Sequence, residues 1–216
     1  MTNRALSLFQ LCDSNFPTGS FSQSFGLETY LQKDLVNDSE TFTNWLKVYL
    51  HEQLTYADGL AARLAYDALD EEDYETVWKL DRILTVQNLA RESRDGTQRM
   101  GDRLLTIAES IYDIPLLSTY QERIKKKKAF GHPAIVFTMV GHAFQVDKET
   151  TILYYLYSTL IGLVQNAVRA IPLGQTTGQK IIYTFQDERI QPINAYHETI
   201  GNKKCAGKMS ARKIKY

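Results

Sequence analysis

Apolar residues recur along most of this chain at steps of three and four, the spacing that lines one face of an α-helix. Leu60, Leu64, Ala65 and Ala68 form one such stripe, and Val77, Leu80, Ile83, Leu84 and Val86 form another. Leu104, Leu105, Ala108 and Ile111 share a face of a helix predicted over Arg91–Tyr112. A helix is predicted over Pro133–Phe144. The most hydrophobic helix comes next, with Ile152, Tyr155, Leu156, Thr159, Leu160, Leu163 and Val164 on its face. Period-two alternation is scarce, and only Ile181–Phe185 reads equally well as a strand. The pattern predicts an all-α, multi-helix bundle in a single domain over residues 1–200.

Polar punctuation sets the predicted ends. Arg4–Cys12 is a short helix candidate, and Pro17 and Gly19 make residues 13–20 a loop. Helix resumes near Ser22 and runs to about Leu31, with Gly26 inside it. Asn37 to Glu40 has the spacing of a capping box before a helix through Trp45, Val48, Tyr49 and Leu50. Asp58-Gly59 is placed to break or bend that helix. Acids at positions 70–73 suit the start of the next, where exposed N–H groups favour negative charge. His132 precedes Pro133, a residue suited to the first helical position. Asp147 caps the hydrophobic helix, which ends before Pro172. Thr176 to Gln179 is a second capping-box pattern, opening a helix through Ile182 and Phe185.

Composition adds a bound and an asymmetry. The chain has 216 residues, 44% hydrophobic and 23% charged, enough to bury a core without disulfides or metal. Formal net charge is zero, but six cations (Lys203, Lys204, Lys208, Arg212, Lys213 and Lys215) come after Gly201 with no acid among them. The first 200 residues therefore hold 19 bases against 25 acids. An acidic body argues against bulk nucleic-acid binding. The two cysteines, Cys12 and Cys205, have no CxxC or secretory spacing, which points to a reducing, cytoplasmic compartment. No signal peptide is legible, and Ile152–Val168 is too short and too polar for a membrane span.

Catalytic signatures are absent. His51, His132, His142 and His197 show no HExxH spacing and no zinc-finger pairing with cysteine, so each reads as a surface or satisfied helix residue. Gly174 to Ile181 departs from a phosphate loop on three counts. Its glycines have three residues between them rather than four, with Gln179 intervening before Lys180; Ile181 stands after Lys180 where Ser or Thr is needed; and the segment succeeds a helix rather than a strand. Ser14 has no nucleophile-elbow context and no assignable partner histidine. The lysine run at 125–128 reads as a solvated helix face or loop. No residue is assigned to catalysis, a metal or a cofactor.

Two stretches are polar and glycine-rich beyond what packing asks. One runs from Leu11 to Glu28 and contains Asp13-Ser14, Pro17-Thr18-Gly19 and Ser24-Phe25-Gly26-Leu27-Glu28. The other is Arg169-Ala-Ile-Pro-Leu-Gly-Gln-Thr-Thr-Gly-Gln179. Their wording and order resemble the two signature stretches of the urease accessory protein F family. Between them, Arg91-Glu92, Gly101 and His132-Pro133-Ala-Ile-Val-Phe137 fall in the expected places, so the resemblance covers roughly residues 5 to 198. It implies an all-α accessory protein that tends to dimerise, binds accessory protein D (H in some systems) and with it recruits the GTPase accessory protein G. That assembly docks on apo-urease, where GTP hydrolysis accompanies nickel delivery to a site with a carbamylated lysine. The family member acts as scaffold and as a check on the GTPase. The partner-binding candidates carried over are Phe16, Pro17, Thr18, Gly19, Ser24, Gly26, Glu28, Arg169, Pro172, Gly174, Gln175, Gly178 and Gln179. Gln175 and Gln179 offer donors and acceptors for a wet interface, and Arg169 suits a carboxylate. Shaping a corner of the fold is the competing role for all of them.

The close of the chain departs from the family. Residues 201–216 lack helical amphipathicity and read as a basic, disordered tail, with a truncated or frame-shifted terminus as one explanation. Because the family's C-terminal end takes part in binding accessory protein D, that contact is the one this departure touches. Two other functions compete. An RNA- or protein-binding adaptor would use the tail and the lysine run, with steep salt dependence. A metal-binding helical enzyme would need tight stoichiometric nickel binding or turnover by the isolated chain.

Overall fold

The structure, a computed structural model, describes residues 4–20 and 23–187. The chain is all-α, with no strand among the described residues. A short α1 (Arg4–Gln10) and α2 (Leu27–Gln32) precede α3 (Ser39–Val48). A π-helix, Tyr49–Gly59, joins α3 to α4 (Leu60–Asp70). Then come α5 (Tyr74–Gln87), α6 (Arg91–Ile111), α7 (Pro115–Lys125), α8 (Pro133–Ala143), α9 (Lys148–Ala170) and α10 (Gln175–Asp187). Ile181–Phe185 is therefore helical.

Helix α8 is apolar all round and sits at the centre. Every residue from Pro133 to Gly141 is buried, as expected of a helix enclosed on all sides. It packs against α4, α6 and α9, with α5 and α7 also in contact. Leu105, Ala108, Leu117, Ile135, Val136 and Ile152 belong to this core. A second apolar cluster joins Leu27, Phe42, Leu46, Leu160, Val164, Ile182 and Phe185, where α10 folds back along α9. Gly178 is what lets it come close, since a methyl group there would stand 2.8 Å from Val168 Cγ2.

Several predicted boundaries move, each for a local reason. Gly26 is not inside a helix. It holds φ 91°, a left-handed conformation open mainly to glycine, and helix α2 starts after it. The predicted start at Ser22 lies outside the described residues. The capping box is Asp38–Thr41 rather than Asn37–Glu40: Thr41 N–H donates to Asp38 Oδ1 at 2.9 Å, and Asp38 N–H donates to Thr41 Oγ1 at 3.1 Å. Asp58-Gly59 breaks nothing, because the chain stays helical from Ser39 to Asp70 by widening to π geometry. Asp73 caps α5 and Asp147 caps α9, each accepting the N–H three residues on. Thr176 lies inside α10, which begins one residue earlier at Gln175. Gly178 is accordingly helical.

Loop 129–132 is fastened by a buried acid. Asp81, fully buried on α5, accepts from Phe130 N–H at 2.6 Å and from His132 N–H at 2.9 Å. Gly101 presses against the same loop from α6. A methyl group at that position would stand 1.7 Å from Gly131 O.

Candidate functional site

A cleft of about 240 Å³ opens beside α9. Its walls come from the loop at 11–20, the π-helix, α6 and the start of α8. The floor is the polar face of α9: Tyr155, Ser158, Thr159, Gly162, Gln165, Asn166 and Arg169 recur at steps of three and four. Ile152, Leu156, Leu160, Val164 and Ala167 pack into the core, and Leu163, also buried, borders the cleft. One helix thus supplies both a core stripe and a cleft floor.

The π-helix delivers Asp58, one of two carboxylates lining the cleft; the other, Asp13, comes from the loop at 11–20. Tyr49, Gln53, Ala57 and Asp58 all line it, at spacings that suit i→i+5 geometry. The Tyr155 hydroxyl donates to Asp58 Oδ2 at 2.7 Å. Burial first, then the charge of Asp58, push both the Tyr49 and Tyr155 phenols well above their usual pKa. Both therefore stay protonated as donors. His132 lines the cleft from the N-terminus of α8, where its Nδ1 accepts from Ala134 N–H at 3.3 Å. Burial lowers its pKa against the opposing pull of Asp58 and Asp81, so the ring is neutral. A neutral ring is also what an accepting Nδ1 requires. Cys12 is buried beside the cleft with its thiol pushed up to about 12, and Sγ donates to Tyr154 O at 3.5 Å. That thiol is far from the depressed pKa of a reactive one.

The other histidines have ordinary surroundings. His51 is exposed beside Glu52, and His142 Nε2 lies 3.1 Å from Asp70 Oδ1. His197 and Cys205 lie outside the described residues, as does the basic tail. Among the described residues, no group of three or more His, Cys, Asp or Glu side chains could hold a metal ion, and no helix is long and apolar enough to cross a membrane. Lys126–Lys128 form an exposed turn after α7, with Lys126 paired to Glu122 at 3.1 Å.

The two polar, glycine-rich stretches meet. Asn166 on α9 donates from Nδ2 to Gln23 O at 2.7 Å, and its Oδ1 accepts from Arg169 Nη2. Arg169, which opens the second stretch, is thereby tied to the backbone of the first. The carried-over residues then divide. Pro17, Gly26, Glu28, Arg169, Pro172, Gly174, Gln175 and Gln179 are exposed. Phe16, Thr18, Gly19 and Ser24 are half-buried, and Gly178 is buried against α9. Gly178 thus has a packing role, whereas the exposed set has surface to offer.

The UreF family model matches residues 36–186. A urease accessory protein UreF from Lachnoclostridium phytofermentans is 53% identical over 187 residues, covering 87% of this chain and 82% of that protein. The chain belongs to the UreF family. This is a family of accessory proteins and not of enzymes, in keeping with a chain whose sequence carries no catalytic signature.

Two features of this UreF-family site escape a reading of the sequence, and a buried acid bonded to the His132 backbone escapes only in part. The Asp58–Tyr155 pair joins residues 97 positions apart, and no local pattern links them. The π-helix is hidden because its spacing resembles an α-helix over any short window. Asp81 leaves a usable trace, since it lies four residues after Val77 and three before Leu84 on a buried face. A lone acid on an apolar stripe signals a buried hydrogen-bonding duty.

Proposed function

We propose that this chain serves urease maturation as a docking protein. It binds accessory protein D/H, with it recruits the GTPase accessory protein G, and holds the assembly on apo-urease while nickel is delivered. It performs no bond chemistry itself. The reading draws on family membership and on the accessory role named for the relative at 53% identity. The observation that carries it onto particular residues is the meeting of the two signature stretches at Asn166 and Arg169. In those two stretches Pro17, Glu28, Pro172, Gln175 and Gln179 are exposed. Polar residues that a fold leaves exposed beside a fixed backbone corner suit a wet protein interface. The protein acts in the cytoplasm and as a homodimer.

Co-purification tests this. The full chain, mixed with accessory protein D/H, is expected to elute as one complex that then takes up the GTPase and apo-urease. Replacing Gln175 and Gln179 together by Ala should weaken that complex at an unchanged melting temperature. A full chain that elutes alone from every mixture overturns the proposal.

A further inference from the structure

Gly162 is a glycine that the fold does not use. It sits mid-way along α9, where glycine is the least favourable residue after proline. A methyl group built on it meets no described atom within 4 Å, unlike one at Gly101 or Gly178. It lies on the cleft floor, on the stripe of Tyr155, Ser158, Gly162, Gln165, Asn166 and Arg169. Near the Tyr155 end stands Asp58, which faces two phenols and pairs with no cation among the described residues. A partly enclosed carboxylate without a counter-ion attracts one more strongly than a fully solvated group does.

We propose that the cleft receives an extended segment of a partner polypeptide, its backbone passing close over Gly162 and a lysine or arginine side chain reaching Asp58. From Tyr155 to Arg169 the stripe rises about 21 Å, which an extended chain covers in about six residues. Along it, the Gln165 amide can meet peptide N–H and C=O groups, and the Ser158 hydroxyl, which donates to Tyr155 O, can accept from a peptide N–H. An absent Cβ at Gly162 lets a second backbone approach the helix, a use of glycine that packing within this chain does not explain. The inference rests on the reading of the chain as a docking protein and names what one of its sites takes.

The test uses hexapeptides tiling accessory protein D/H, the GTPase accessory protein and the urease subunits, probed with the full chain. Fluorescence anisotropy then gives the affinity of each bound peptide. Bound hexapeptides are expected to contain Lys or Arg, and replacing that residue by norleucine or citrulline should weaken binding at least tenfold. Asp58→Asn should do the same. Gly162→Leu should abolish binding, and Gly162→Ala should weaken it at least threefold, both with melting temperatures no lower than that of the unsubstituted chain. A tiling with no bound hexapeptide, or bound hexapeptides indifferent to their basic residue, overturns the inference. So does a chain that holds the whole partners while Asp58→Asn and Gly162→Leu each bind them within twofold of the unsubstituted chain; the docking function then stands without it. If the full chain holds no whole partner, both readings fall.

Discussion

Replacing Gly101 by Ala isolates the packing logic of the core. The added methyl would stand 1.7 Å from Gly131 O, 2.8 Å from Gly131 C and 3.0 Å from Pro133 N. All three are backbone atoms, so no side chain can swing aside. Nor can the loop retreat freely, because Asp81 holds the N–H groups of Phe130 and His132 on its far side. Restoring an ordinary contact of about 3.4 Å requires α6 and the loop to part by well over an ångström, against a close-packed interior. Overpacking of this kind costs about 3 kcal/mol or more. The better helix propensity of Ala returns about 1 kcal/mol. A net loss of about 2 kcal/mol or more should lower the melting temperature by roughly 4–8 °C for a chain of this size. Circular-dichroism melts together with urea titrations read both quantities. A melting temperature equal to or above that of the unsubstituted chain would refute the claimed contact.

Other substitutions probe neighbouring parts. Asp81→Asn turns one accepting oxygen into a donor facing an N–H, and should cost about 2 kcal/mol in urea unfolding; a loss below about 0.5 kcal/mol would deny Asp81 its clamping role. Gly162→Ala, in open space on α9, should stabilise the chain by about 1 kcal/mol, the opposite sign from the same change at Gly101. Burial depresses the His132 pKa below its ordinary 6.5, so the folded state binds fewer protons than the unfolded state. Its contribution to stability is therefore full above pH 6.5 and is lost as pH falls below that value toward the folded pKa. His132→Asn keeps an acceptor at the start of α8 and cannot be protonated, so its melting temperature should fall less between pH 7 and pH 5.5 than that of the unsubstituted chain. Equal falls would count against a neutral, buried His132.

Near neighbours are what the sequence makes legible. Val77, Leu80 and Leu84, or Ile152, Leu156 and Leu163, announce a helix because each lies within a turn or two of the next. Asp147 before its Thr150 N–H reads as a cap for the same reason. Helix α7 escapes the pattern, although Pro115 occupies its first position, a favourable place for proline. Helix α2 reads as starting too early because the left-handed φ at Gly26 is set by the turn it closes and not by its neighbours' polarity. The cleft is the least legible part. Its floor, wall and Asp58 carboxylate come from segments around 155–169, 11–20 and 49–58, brought together only by packing. The signature residues are legible through resemblance. Only the folded chain separates Gly178, which packs inward, from Gln175 and Gln179, which face solvent.

The central claim is that this chain assists urease maturation by holding proteins together and not by catalysis. The most direct measurement is urease activity in cells that lack their own UreF-family protein and are given this chain, with nickel supplied. Restored activity, lost again on replacing Gln175 and Gln179 by Ala while the protein remains folded and abundant, is the result expected. Urease activity no higher with the chain than without it, despite folded protein in those cells, would contradict the account.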